Sequence, residues 1–72
     1  MIKIESYARF KKEIECENEN FKYKEGEKYL LIESSAIPED YLVRQPNSPK
    51  GKDWWSRFDK KSANEYFDIV EQ

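Results

Sequence analysis

The chain contains no histidine. That removes Ser-His-Asp and Cys-His nucleophile pairs, together with the usual zinc sites, which need His or several Cys. Cysteine is almost as scarce. Cys16 is the only one, so no intrachain disulfide can form, which fits a reducing compartment. Glu15 and Glu17 flank it and disfavour a thiolate, so Cys16 is expected to be a partly buried structural residue rather than a catalytic one. With only Gly26 and Gly51, no glycine-rich phosphate loop exists. No apolar run reaches the length of a signal-peptide core or a bilayer span, so a soluble, cytoplasmic protein is expected. Charge of one sign is missing too: the net charge of −2 gives no global pull toward nucleic acid or an anionic membrane.

What is present is aromatic. The chain of 72 residues makes one domain. A chain this short buries roughly 60% of the surface its unfolded form exposes, so its core is small. The mean hydropathy of −1.07 and 39% charged residues lean toward disorder. Two Trp, five Tyr and four Phe lean the other way, since each can bury about 150–250 Å². A folded domain built on aromatics is the reading.

The stretch 21–33 organises the rest. Phe21 and Tyr23 alternate with lysines, as on a half-buried strand. Lys24-Glu25-Gly26-Glu27 reads as a turn with Gly26 free to take positive φ. Tyr29 to Ile32, the longest apolar run, is apolar on both faces and predicts a central strand. Ile2 and Ile4 suggest a short opening strand. Over 6–17 two periods compete. Tyr7, Phe10 and Ile14 sit at helical spacing behind a possible Ser6 cap, while Ile14 and Cys16 alternate with glutamates as in a strand. Both readings stay open.

Ser34 to Asp40 reads as a connector and Tyr41 to Gln45 as another strand. Residues 46–52, rich in breakers, read as an exposed loop. Asp53 to Phe58 is a strand or a helix start. Ser62-Ala63-Asn64-Glu65 has capping-box spacing, and Tyr66 to Val70 closes as a strand.

Three stretches carry a resemblance to the Src-homology-3 small β-barrel family. Ala8-Arg9-Phe10 looks like the ALY of its ALYDY motif. Tyr23 to Ile32 looks like F-x-x-G-[DE]-x-L-x-[IV], and Ala63 to Val70 looks like the closing P-S-N-Y-V-x-x-[VI]. Together, with the strands they imply, they span about half the chain. The resemblance implies an all-β, five-stranded barrel with a short 3-10 turn before the last strand. It also implies a ligand shelf for proline-rich peptides near Phe10, Tyr41 and Tyr66. There this chain departs from the pattern. Lys12 replaces the second tyrosine, Tyr41 stands at the place of the gripping tryptophan, and Ala63 replaces the proline. The long 46–52 loop then separates a third barrel strand holding Tyr41 from a fourth holding Trp54-Trp55. The alternative fold is α+β, with a helix over 6–17, a three-stranded antiparallel sheet and a helix over 53–66.

Two surfaces are candidates for a partner. Glu13, Glu15, Glu17 and Glu19, at period two, form an acidic rim able to receive a basic partner surface near Phe10, Tyr41 and Tyr66. They lack the D-x-[DN]-x-[DN]-G spacing of a Ca²⁺ loop, so no metal or other cofactor is expected. Trp54 and Trp55 are adjacent and point to opposite faces of a strand, which predicts one in the core and one outside beside Arg57. Residues 44–61 carry six basic residues against two acidic, a local excess of +4. Stacking on the tryptophans plus these cations is the case for single-stranded nucleic acid as the alternative partner. The expected function is non-catalytic binding to a larger protein, not catalysis and not membrane association. A solitary domain of this size reads as a small regulator or inhibitor.

Overall fold

The computed structural model describes residues 5–16 and 20–71. Its strands are β1 (Ser6–Phe10), β2 (Ile14–Cys16), β3 (Phe21–Tyr23), β4 (Lys28–Ser34), β5 (Ile37–Arg44), β6 (Trp55–Asp59) and β7 (Phe67–Glu71), with a 3-10 turn at Ala63–Glu65. Five of them form one antiparallel sheet in the order β6-β5-β4-β1-β7. The other two, β2 and β3, make a separate hairpin. The class is all-β. The Ile2–Ile4 strand expected from sequence lies outside the described residues.

The double-sided apolar run sits where its pattern predicts. β4 occupies the middle of the sheet, between β1 and β5. Tyr29 and Leu31 turn to the core, and Leu30 and Ile32 turn away from it. The α+β alternative is overturned at both of its helices. Over 6–10 the burial alternates, with Ala8 and Phe10 buried and Arg9 exposed between them, which is a strand period. The helical spacing of Tyr7, Phe10 and Ile14 is fortuitous, because the chain bends at residues 11–12 before Ile14. Over 53–66, Trp55–Asp59 is an edge strand bonded to β5.

Two further expectations need correction. Most of the 34–40 connector is strand, because only Ser35 and Ala36 separate β4 from β5. Pro38, which has no N–H to donate, misled the reading. It falls where the β4–β5 register jumps, between the pairs Ser34↔Ile37 and Glu33↔Tyr41, so no ladder bond is lost there. At 62–65 the helical turn forms, yet the Ser62 side chain makes no cap bond. The turn is closed by backbone alone, Glu65 N–H to the Ser62 carbonyl at 3.0 Å and Tyr66 N–H to that of Ala63 at 2.9 Å.

The core is aromatic. Phe10, 2% exposed, stacks on Tyr23 at 4.4 Å with planes 3° apart. It also meets Tyr29, Phe58 and Phe67. Because Phe58 and Phe67 belong to opposite end strands, the twisted sheet must curl to bring them onto one ring. The sheet nevertheless stays open in its hydrogen bonding. Among the described residues no ladder joins β6 to β7, and the sheets do not close into a barrel. Gly26, at φ +81°, turns the chain back, and its N–H bonds the Phe10 carbonyl at 2.8 Å.

Candidate functional site

The strand register sorts the expected binding residues onto different parts of the molecule. Phe10 leaves the surface altogether. Its burial and four ring partners place it at the centre of the core, where it cannot touch a partner. Tyr41 and Tyr66 are half-buried and share no ring contact. Tyr41 packs on Phe67 with the Lys60 ammonium 5.2 Å from its ring centroid. It borders a depression of about 190 Å³ together with Lys60, Ala63, Asn64, Phe67 and Ile69. Tyr66 lies against Phe58, with the Lys12 ammonium 5.3 Å above its ring. An unbroken aromatic shelf is therefore not formed by Phe10, Tyr41 and Tyr66.

The acidic rim is only partly in view. Glu15 is exposed on β2 opposite Lys22, and Glu13 pairs with the Lys22 ammonium at 3.6 Å. Glu17 and Glu19 lie outside the described residues. Among the described residues no cluster of acidic or cysteine side chains has the makings of a metal site, and no helix is long and apolar enough to cross a membrane.

The expected division into one core and one outer tryptophan is not found: Trp54 is exposed, Trp55 is half-buried, and neither joins the core. Trp55 opens β6 opposite Arg44 and shares the outer face of the sheet with Leu42 and Arg57. Trp54 sits one step before β6, its backbone opposite that of Gln45, and is 46% exposed. An exposed tryptophan on a loop would ordinarily be mobile. This one is clasped. Gln45 N–H donates to the Trp54 carbonyl at 2.7 Å, and Trp54 N–H donates to Ser48 Oγ at 3.0 Å. The same hydroxyl donates to the Gln45 carbonyl at 2.7 Å. The Gln45 amide, buried, holds the Trp55 carbonyl at 3.2 Å. Next to it Arg44 Nε meets Asp53 at 2.6 Å. A hydroxyl that donates and accepts at once, two residues after Pro46, ties the loop shut at its base.

Half of the basic residues of 44–61 are engaged by carboxylates. Arg44 is taken by Asp53, Arg57 by Asp40 at 2.9 Å, and Lys60 by Glu33. Its +4 excess in sequence counts cations whose partners Asp40 and Glu33 lie upstream of it. The Glu33 carboxylate also raises the Lys60 pKa above its ordinary value through their hydrogen bond.

Sequence reasoning missed an apolar band on the outer face. Val70, Tyr7 and Leu30 stand in register across β7, β1 and β4, and Ile32 stands beside Leu42 across β4 and β5. Ile32 is 37% exposed. The signal was there in the two-faced run of β4 and in Leu42 alternating with Tyr41 and Val43. Comparison with known protein families, with curated proteins and with solved structures found no match to this chain.

Proposed function

We propose that the chain is a non-catalytic protein-binding module, a small regulator that docks on a larger protein with Trp54 as its anchor. One observation carries this reading: the most accessible of the tryptophans sits on a backbone fixed from both sides. A rigid, exposed Trp loses little entropy on binding, and Trp with Arg dominates the hot spots of protein interfaces. Nucleic acid is the weaker reading, because Arg44, Arg57 and Lys60 already have carboxylate partners.

We also infer an SH3-like architecture whose closure comes from side chains rather than a ladder. The strand succession supports it, as does the 3-10 turn placed before the last strand. Phe58 and Phe67 meeting across the open ends support it too. With Phe10 in the core and Ala63 buried, a proline-peptide shelf is not part of this reading.

The test is capture of tagged wild type and Trp54→Ala from a host lysate, with and without nuclease. One protein recovered in near-stoichiometric amount, resistant to nuclease and weakened by roughly 30-fold or more in Trp54→Ala, is the expected result. Recovery that nuclease abolishes, or that Trp54→Ala leaves unchanged, overturns the proposal.

A further inference from the structure

β7 is one end of the sheet and pairs with β1 on one side only. The phase of that ladder fixes which backbone groups face outward. Lys11 N–H donates to the Tyr66 carbonyl at 2.8 Å, and bonded pairs alternate from there, so Asp68 and Val70 turn their N–H and C=O groups to β1. Phe67, Ile69 and Glu71 turn theirs the other way, along an edge where no strand lies among the described residues. Open edges are commonly blunted by lysine, proline or a bulge. β7 has none of these: its register with β1 runs unbroken, and its only charges are Asp68 and Glu71. The other end of the sheet is better defended. β6 carries Arg57, and the carbonyl of its last residue, Asp59, is taken by the Ser62 N–H at 3.1 Å.

The side chains mark the same edge as unfinished. Ile69 stands opposite Ala8, which is fully buried, so it lies on the core side of the sheet, yet it is 47% exposed. Ile69 itself borders the depression of about 190 Å³ whose apolar lining includes Tyr41, Ala63 and Phe67. The charges at its rim are already engaged, Lys60 by Glu33 and Asp68 by Lys11. Glu71, exposed and on the same face of β7 as Ile69, has no ion pair among the described residues.

Water satisfies outward N–H and C=O groups one at a time; an extended backbone satisfies the whole row in register. The geometry points to β7 as a docking edge for an extended peptide segment of another protein, added antiparallel beside it. The phase sets what that segment must carry. The residue facing Ile69 lays an apolar side chain over the depression. Two positions before it, the residue facing Glu71 is basic, an opposite-charge pair across the new ladder. Two positions after it, the residue facing Phe67 is apolar again. The occupant therefore has the form basic-x-apolar-x-apolar. Nothing here depends on Trp54, so failure of this inference would leave the docking reading in place.

The probe is a synthetic peptide, blocked at both ends, built on Lys-Thr-Leu-Thr-Leu and titrated into the isotope-labelled protein. Amide hydrogen exchange read by nuclear magnetic resonance reports the contact. Exchange at Phe67, Ile69 and Glu71 is expected to slow roughly 10-fold or more, while Asp68 and Val70, already bonded to β1, change little. Replacing the peptide lysine by glutamate should weaken binding several-fold. Methylating the peptide nitrogens of the two leucines removes the donors that face β7 and should weaken it by roughly 10-fold or more. That control leaves the protein untouched, so no variant has to fold for the result to count. Trp54→Ala is expected to bind the peptide as wild type does. Three outcomes overturn the inference: no slowing at peptide concentrations up to about 1 mM, slowing that does not single out the three outward amides, or a methylated peptide that binds equally well.

Discussion

The rings of Phe58 and Phe67 meet edge to face, with centroids 5.4 Å apart and planes at 90°. They stand on β6 and β7, the two ends of the sheet, and hydrogen bonds do nothing to bring those ends together. The contact exists because both rings converge on Phe10, which they approach at 5.8 and 5.2 Å. Phe10→Ala would leave a cavity shared by four other rings. Truncating a buried phenylalanine costs about 3–5 kcal/mol, comparable to all that a core of this size supplies. The variant is expected to lose its near-ultraviolet dichroism and its cooperative thermal transition. A folded Phe10→Ala that lost only partner binding would return Phe10 to the surface.

Tyr23 is fully buried, yet it carries a hydroxyl. That group donates to the Val43 carbonyl at 3.1 Å and ties the β2–β3 hairpin to β5. Tyr23→Phe keeps the stack on Phe10 and removes only this bond. A loss of about 1 kcal/mol is expected in urea unfolding, with the slope unchanged. A neutral result would mean that the hairpin is held without this bond.

Gly26 offers a clean measure of backbone strain. A methyl group added there meets nothing within 4 Å, so the cost of Gly26→Ala is conformational. At φ +81° an L-residue is expected to lose about 1–2 kcal/mol. Because the Gly26 N–H holds the Phe10 carbonyl, the loss should appear as faster unfolding in stopped-flow measurements. Folding and unfolding rates both unchanged would show that the turn relaxes without cost.

Lys60 and Tyr7 set an alkaline limit. The Lys60 pKa is raised chiefly by its hydrogen bond to Glu33, and the Tyr7 pKa by its hydrogen bond to Glu5. A folded-state pKa above the unfolded value gives stability that is complete below the unfolded pKa. It is lost as pH rises through the folded one. Both contributions are therefore present at neutral pH and disappear above about pH 10. Lys60→Met should melt below wild type at pH 8, and the gap should narrow by pH 11.5. A gap that persists undiminished would assign the effect to packing of Lys60 on Tyr41 instead.

Legibility in the sequence followed how many constraints bore on each residue. The run Tyr29–Ile32 could be placed because a strand apolar on both faces has few homes other than the middle of a sheet. β1 could not, because Tyr7, Phe10 and Ile14 satisfy a helix while Ala8 and Phe10 satisfy a strand. What decides between them is tertiary: Ala8 lies between Tyr29 and Ile69 in the ladder, a relation between distant parts of the chain. Phe10 was matched by motif to a ligand shelf, and only its stack on Tyr23 reveals a core residue. The charge excess over 44–61 misled for a related reason, since the register supplies carboxylates from β4 and β5 that a local count omits. Alternation predicted a core tryptophan that the structure does not have, because Trp54 falls before β6 begins; the Ser48 clasp that holds it was not legible either.

That clasp has a consequence for how the chain tolerates change. Once Ser48 and Gln45 hold Trp54, residues 49–52 hang outside the knot, turned by Gly51 at φ +84° and a Lys52 N–H to Pro49 carbonyl bond of 3.1 Å. Lengthening a flexible loop twofold costs only about 0.6 kcal/mol. The segment around Lys50 is thus a natural port where a fluorophore or a short epitope could be spliced in, a few residues from the tryptophan whose occupancy it would report.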